Sequence, residues 1–99
     1  MIHKSSVIDS KAIVEKNVKI GPFCFVGSNV HLKEGVELIS NVHVEGNTII
    51  GKFTKLYPFS SIGTSPQDLK YKGEQNSLDI GEYNTIREYV TINPGTAGG

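Results

Sequence analysis

The chain has 99 residues, and its ten basic and ten acidic side chains cancel to a formal net charge of zero. This length allows one domain at most, because domains typically run to roughly 100–150 residues. The balanced charge and an isoelectric point near 6.8 argue against a protein that binds the phosphate backbone of nucleic acid. The single cysteine excludes an internal disulfide, and the apolar runs are far shorter than the roughly 18 residues of a membrane span.

A six-residue period runs along the chain. Every sixth position from Ile2 to Ile92 is Ile, Val or Leu in fourteen of sixteen cases, and the two exceptions, Asp68 and Glu74, are neighbours in the series. A second series, four residues after each aliphatic position, holds mainly small or β-branched residues. Neither an α-helix, with its 3.6-residue period, nor a hairpin meander gives a strict period of six. A short strand followed by a turn gives this period when it is repeated.

Three such strands complete one coil of 18 residues, so Ile8, Val26, Val44 and Ile62 should stack. The pattern predicts an all-β fold, a parallel β-solenoid of triangular section with a narrow aliphatic core. The aliphatic positions should point inward, and the smaller series should lie near the corners, where there is less room. Cys24 belongs to the smaller series, so we expect a buried and inert thiol. The pattern alone leaves the handedness of the coil open.

The register fails once, over residues 68–79, which is two repeat lengths. These residues are mostly polar and follow a turn-type stretch at residues 65–67. We therefore predict a single domain over residues 1–99 with one external loop at about 68–79. Insertions on one face of a solenoid often build its binding site, and the alternative is a solvated surface insertion.

Two segments resemble those of a known family. Residues 67–74 (QDLKYKGE) and 86–96 closely resemble segments of the acyl carrier protein–UDP-N-acetylglucosamine O-acyltransferases, which are hexapeptide-repeat acyltransferases. The resemblance implies a left-handed parallel β-helix. It also implies an enzyme that moves a (3-hydroxy)acyl chain from acyl carrier protein to the 3-hydroxyl of UDP-N-acetylglucosamine, the first step of lipid A biosynthesis.

The resemblance further implies a cytoplasmic homotrimer, with sites between subunits and no metal or redox cofactor. Asp68 and Lys70 match the family's loop aspartate and lysine, which would bind the sugar and the nucleotide-sugar, and Gln67 lies beside them. A carboxylate can accept charge-assisted hydrogen bonds from sugar hydroxyls, and an ammonium suits a phosphate. Better-known members carry His-Arg where this chain has Asn93 and Pro94, so the contact made by that basic pair has no basic counterpart here.

The general base is not expected among the histidines of this chain. O-acylation needs a base to take the hydroxyl proton, and histidine suits that role. His31 and His43 each precede an inward aliphatic by one residue and lie 12 apart rather than 18, so we expect them near turns, solvated and on different faces. His3 should be solvated too, and this spacing argues against a metal site. The resemblance places the base beyond Gly99 and implies that the chain is the N-terminal part of a β-helix domain, inactive alone.

Two other functions remain open. Another hexapeptide transferase could move acetyl groups onto amino-sugars or serine, but it would lack the QDLKY segment. A non-catalytic structural β-solenoid, such as an ice-binding protein, would present a regular outward row of threonines. The outward positions in this chain are mixed instead: Asp9, Glu15, Lys33, Glu45 and Tyr57.

Overall fold

The computed structural model describes residues 1–64 and 77–93. Every strand in them is only two to four residues long, because the chain turns again after each inward aliphatic residue. The thirteen strands of this part of the chain are β1 (Val7–Ile8), β2 (Ile13–Val14), β3 (Lys19–Ile20), β4 (Phe25–Val26), β5 (Val30–Leu32), β6 (Glu37–Leu38), β7 (His43–Val44), β8 (Asn47–Ile50), β9 (Lys55–Leu56), β10 (Ser61–Ile62), β11 (Ser77–Ile80), β12 (Thr85–Ile86) and β13 (Thr91–Ile92).

The strands form three parallel sheets, which are the three faces of a triangular coil. The first face orders its strands β1-β4-β7-β10-β13, the second β11-β8-β5-β2, and the third β12-β9-β6-β3. Each strand therefore pairs with the strand one coil above or below it. On the first face Ile8, Val26, Val44 and Ile62 lie in register, as their spacing predicts. The predicted all-β parallel solenoid is confirmed.

Two inward rows of side chains fill the coil. The aliphatic row is completely buried from Val26 to Ile62, and each such side chain contributes about 1.5–3 kcal/mol to folding. The smaller row is buried from Val18 to Ser60, and the three hydroxyl-bearing members of that stretch are Thr48, Thr54 and Ser60. The hydroxyl of each donates to a backbone carbonyl at 2.7–2.9 Å, so the corners bury no unpaired hydroxyl among these three.

Several corners place a bulky residue in the left-handed backbone region, which is uncommon for side chains with a Cβ. Phe53, Tyr83, Phe59 and Tyr89 all have φ between 57° and 63°. They stack in two pairs, with ring centroids 5.4 Å apart for Phe53–Tyr83 and 5.6 Å apart for Phe59–Tyr89. The four rings are exposed, and the two pairs stand on the two corners that border the third face.

The step between stacked strands changes in the last described coil. Val44 and Ile62 pair 18 residues apart, whereas Ile50 and Ile80, and likewise Ile62 and Ile92, pair 30 residues apart. Twelve additional residues therefore fall between Ile62 and Ile80, as the break in the period indicated. The predicted boundaries of the external loop, 68–79, are wrong at the C-terminal end.

Residues 77–79 belong to β11, which pairs with all four residues of β8. Leu78 lies beside Thr48 in this pairing, so the smaller inward row resumes there. The polar composition of residues 77–79 concealed this, because Ser77 and Asp79 are the outward, exposed residues of the strand.

Candidate substrate-binding site

The chain leaves the described coil before the twelve additional residues and re-enters it after them over one corner of the coil below. β10 lies over β7, and Ser77 at the start of β11 pairs with Asn47 at the start of β8. The described residues on either side of the inserted segment, residues 65–76, thus lie above residues 45–48, where the first face meets the second. This corner is the candidate substrate-binding site.

Gly63 holds the chain close to this corner where it leaves β10. Its φ is +80°, and a Cβ there would lie 2.0 Å from the Glu45 carbonyl oxygen and 2.4 Å from Thr48 Oγ1. Its N–H donates to the carbonyl of Ile92 in the coil above at 2.7 Å. Only glycine fits, because both the backbone conformation and the contact with the lower coil exclude a side chain.

A side-chain hydrogen bond joins the next residue to the coil above. Thr64 Oγ1 donates to Asn93 Oδ1 at 3.0 Å, across 29 residues of sequence. Asn93 is exposed and Thr64 is half-buried. The residue that precedes the inserted segment is therefore attached to one of the two positions at which the chain departs from the family's His-Arg pattern.

A histidine–carboxylate pair lies beside the same corner, in the coil below. His43 Nε2 is 2.9 Å from Glu45 Oε1, and the His43 ring stacks on Phe25 with ring centroids 4.7 Å apart. His43 pairs with Ser61 of β10 on the first face. Its side chain is about half exposed, at 45%, so the imidazole is oriented but accessible.

The environment of the histidines was predicted only in part. His31 and His43 do lie on different faces, the second and the first. Both face outward on short strands, as expected, but neither is fully solvated, because each is partly buried and pairs with a glutamate. A strand residue beside an inward aliphatic points outward, yet long side chains of adjacent positions can still cover it. His3 is exposed, as predicted.

The glutamate that pairs with His31 is Glu15, and it links two coils. Its Oε2 is 2.5 Å from His31 Nε2, and its Oε1 accepts the Glu34 N–H at 3.2 Å. The hydrogen bond from His31 is the main cause that lowers the pKa of Glu15, and burial opposes it. Because the pKa is lower in the folded state, ionised Glu15 favours folding above pH 4.5, and this contribution is lost as the pH falls through the folded-state pKa.

We expect Glu15→Gln to flatten the loss of stability on acidification from pH 6 to pH 3. Urea unfolding at half-unit pH steps measures this slope for both proteins. Glu82→Gln, at an exposed glutamate on the same corner of a later coil, is the matched control and should keep the wild-type slope. Equal slopes for wild type and Glu15→Gln would show that the Glu15–His31 pair does not contribute to acid sensitivity.

The residues predicted to bind substrate, Gln67, Asp68 and Lys70, lie outside the described residues, as does Pro94. Across residues 1–64 and 77–93, no group of three or more His, Cys, Asp or Glu side chains could hold a metal ion. The same residues contain no helix that could span a membrane.

The prediction for Cys24 is confirmed. Its side chain is buried, and its Sγ lies 3.7 Å from the carbonyl oxygen of Pro22. Burial raises the pKa of the thiol, so the nucleophilic thiolate is disfavoured. Cys24 therefore fills the corner of the core and is not part of the candidate site.

Comparison with known proteins shows which family the chain is similar to. The chain is 54% identical over 98 residues to the acyl-[acyl-carrier-protein]–UDP-N-acetylglucosamine O-acyltransferase of Rickettsia canadensis, and 49% identical over 98 residues to that of Thermodesulfovibrio yellowstonii. Each match covers 99% of the chain. A crystal structure of a UDP-N-acetylglucosamine acyltransferase matches the whole chain with a TM-score of 0.97 and 54% identity. Over its whole length the chain is similar to the N-terminal part of these acyltransferases.

No protein-family model matches the chain. The chain spans 37% of the Rickettsia acyltransferase, and 38% of both the Thermodesulfovibrio acyltransferase and the chain in the crystal structure. The matched part lies at the N-terminal end of these relatives. The match to this crystal structure, with its TM-score of 0.97, confirms the left-handed parallel β-helix that the resemblance implied.

The sequence analysis did not single out Thr64, Gly63 or the His43–Glu45 pair. His43 and Glu45 flank the inward Val44, so the alternation of strand residues could have placed both on the outer surface. Gly63 could have been singled out because it directly follows Ile62, the last inward aliphatic residue before the six-residue period is interrupted. The contact between Thr64 and Asn93 could not be found from the sequence, because it depends on the 30-residue step between β10 and β13.

Proposed function

We propose that this chain binds the acceptor in the reaction for which its relatives are named. That reaction moves a (3-hydroxy)acyl chain from acyl carrier protein to the 3-hydroxyl of UDP-N-acetylglucosamine, as the first step of lipid A biosynthesis. The observation that supports it is the 54% and 49% identity across 98 residues with acyltransferases that carry this activity in their names. That match includes the inserted segment as well as the coils.

The chemistry assigns distinct tasks to the acceptor site and the base. The 3-hydroxyl oxygen attacks the thioester carbonyl, a base takes the hydroxyl proton, and the carrier thiol leaves as the new ester forms. We assign Asp68 to accept hydrogen bonds from the sugar hydroxyls and Lys70 to neutralise the diphosphate. Gln67 is the third acceptor-binding residue in this proposal. The placement of the flanking residues Thr64 and Ser77 over one corner supports this role.

The general base belongs, in this proposal, to a segment outside the 99 residues. His31 and His43 lie on different faces, and each pairs with a glutamate, which supports that assignment. We also propose a cytoplasmic homotrimer. The exposed ring pairs Phe53–Tyr83 and Phe59–Tyr89 support an assembly, since a partner subunit could cover their apolar surface.

Titration of this chain with UDP-N-acetylglucosamine tests the acceptor site. We expect Asp68→Asn and Lys70→Ala each to weaken binding by about tenfold to a hundredfold, the usual effect of losing a hydrogen bond to a charged group. Calorimetry or amide chemical-shift titration measures the dissociation constants.

Two matched controls carry the same substitutions outside the inserted segment. Asp79→Asn alters an exposed outward residue of β11, and Lys52→Ala alters an exposed corner residue. Both should bind as the wild type does. If the controls lose as much affinity as the Asp68 and Lys70 variants, the loss reflects a change of net charge and not a specific contact. If both site variants bind as tightly as the wild type, Asp68 and Lys70 do not bind the acceptor.

The same titration separates the other two functions. A transferase for a different acceptor would bind its own amino-sugar or amino acid and would leave UDP-N-acetylglucosamine unbound. A purely structural solenoid would bind neither. The match to acyltransferases named for this acceptor, which covers 99% of the chain, favours the proposed acceptor over both.

A further inference from the structure

We infer that a polar strip on the first face and its corner with the second binds the sugar of the acceptor through the sugar's hydroxyl groups. The strip runs along the outside of β7, β10 and β13 and the residues that follow them, and its members are His43, Glu45, Ser61, Thr64, Thr91 and Asn93. This inference rests on the proposed function, which supplies the sugar, and it adds two residues that touch it. The amide of Asn93 donates to one hydroxyl, and the carboxylate of Glu45 accepts from another.

The two residues stand two coils apart at the same corner. Glu45 follows Val44 and Asn93 follows Ile92, and the strands that end there, β7 and β13, both pair with β10. Neighbouring strands lie about 4.8 Å apart, so the backbones of Glu45 and Asn93 are about 10 Å apart along the solenoid. Gly63 occupies the coil between them and has no side chain. One sugar ring, with hydroxyl groups on opposite sides, can therefore contact both side chains.

Asn93 is exposed, and an intramolecular contact determines which atoms it presents. Thr64 Oγ1 donates to Asn93 Oδ1 at 3.0 Å. Because the amide oxygen is engaged, the NH2 group, with its two donors, is the part of the side chain that a ligand meets. Thr64 also holds the side chain in one orientation, which reduces the rotational entropy lost when a ligand binds.

The carboxylate of Glu45 is oriented in a similar way. His43 Nε2 lies 2.9 Å from Glu45 Oε1, and the His43 ring is itself fixed by stacking on Phe25. A carboxylate has about four lone-pair sites, so Glu45 can accept from a ligand while it holds His43. The side chain of Glu45 is 42% exposed, so a ligand can reach it.

The charge of this surface selects the sugar over the diphosphate. From Phe25 to Asn93, neither the strands of the first face nor the described residues of the corner after them include a Lys or Arg. The one carboxylate among them, Glu45, repels a diphosphate. A phosphate oxygen only accepts hydrogen bonds, whereas a sugar hydroxyl both donates and accepts. The strip supplies both kinds of partner, since it has the amide donors, the carboxylate acceptor and the hydroxyls of Ser61 and Thr91.

Two probes, UDP-N-acetylglucosamine and UDP, separate contacts with the sugar from contacts with the nucleotide. Glu45→Gln should weaken binding of UDP-N-acetylglucosamine to this chain by about tenfold, and Asn93→Ala by about threefold to tenfold. These are the usual effects of losing a hydrogen bond to a charged and to a neutral group. Both variants should bind UDP as the wild type does. Calorimetry measures the dissociation constants.

The matched controls lie away from the strip. Glu37→Gln alters an outward glutamate of β6 whose side chain is 40% exposed, close to the value for Glu45. Asn84→Ala alters an exposed asparagine whose amide, like that of Asn93, makes an intramolecular hydrogen bond, in this case to the Gly81 carbonyl at 3.0 Å. Both controls should bind both probes with wild-type affinity.

Unchanged affinity for UDP-N-acetylglucosamine in Glu45→Gln and Asn93→Ala would overturn the inference. Equal losses for UDP would overturn it too, because the two residues would then act on the nucleotide, and so would equal losses in the controls.

N-acetylglucosamine alone provides a test that does not depend on the proposed function. At millimolar concentration it should shift the amide signals of the strip, and a folded sample without such shifts would overturn the inference. A wild-type chain that fails to bind UDP-N-acetylglucosamine would contradict the proposed function, and the shifts with N-acetylglucosamine alone would then decide whether the strip binds a sugar.

Discussion

Ile50→Asp is expected to abolish the cooperative unfolding transition of this chain. Ile50 is completely buried in β8, between Leu32 in the coil below and Ile80 in the coil above. An unpaired carboxylate there loses its hydration and finds no partner, which costs several kcal/mol in addition to the roughly 1.5–3 kcal/mol of lost apolar burial. Domains are stable by only about 5–15 kcal/mol, so this change removes most or all of that margin.

The neighbouring residue provides the matched control. Ile49→Asp makes the same substitution in the same strand, but Ile49 points outward and is 36% exposed. Circular dichroism melts should show a transition for Ile49→Asp and none for Ile50→Asp. A sharp transition near the wild-type temperature for Ile50→Asp would contradict the assignment of the six-residue series to the core.

Gly21→Ala is expected to lower the melting temperature by about 10–20 °C. A Cβ on Gly21 would lie 1.8 Å from the Ile39 carbonyl oxygen and 2.8 Å from its carbon, both backbone atoms of the next coil. The two coils must separate there to admit a methyl group, which costs about 3 kcal/mol by analogy with overpacked cores. Each kcal/mol shifts the melting temperature of a domain this size by about 4–8 °C.

Gly81 occupies the same place in the repeat, directly after an inward aliphatic residue. A Cβ on Gly81 would meet only the Asn84 side chain at 3.6 Å, an ordinary contact. Gly81→Ala should therefore leave the melting temperature unchanged or slightly raised, since alanine restricts the unfolded chain. Similar losses for Gly21→Ala and Gly81→Ala would show that the close approach of coils at Gly21 does not control stability.

The two inward rows could be predicted from sequence because each places one residue type at a fixed step. The row through Val26, Val44 and Ile62 needs no knowledge of the corners or of the outer surface. The six-residue period also predicted the length of the insertion, because the inward aliphatic series resumes at Ile80 after a whole number of six-residue repeats. Its boundaries could not be predicted in the same way, because outward polar residues such as Ser77 and Asp79 look alike in a strand and in a loop.

The six-residue period could not predict contacts between outward side chains. The Glu15–His31 and Thr64–Asn93 contacts join residues 16 and 29 positions apart, and both depend on how neighbouring coils stack. The candidate acceptor residues came from resemblance to the acyltransferases, because a carboxylate and an ammonium in a polar stretch are not distinctive by themselves. The resemblance proposed Asp68 and Lys70, and the structure shows the corner over which the residues flanking their segment lie.

The central claim is that the acceptor binds at the inserted segment and at the corner that holds it. Titration of the isotope-labelled chain with UDP-N-acetylglucosamine, followed by amide chemical shifts, tests this most directly. We predict that the shifts cluster at residues 65–76 and at their attachment points Thr64, Ser77 and Asn93, and leave Lys19 and Thr85 on the third face unchanged. Shifts concentrated on the third face, or none at all in a folded sample, would contradict the account.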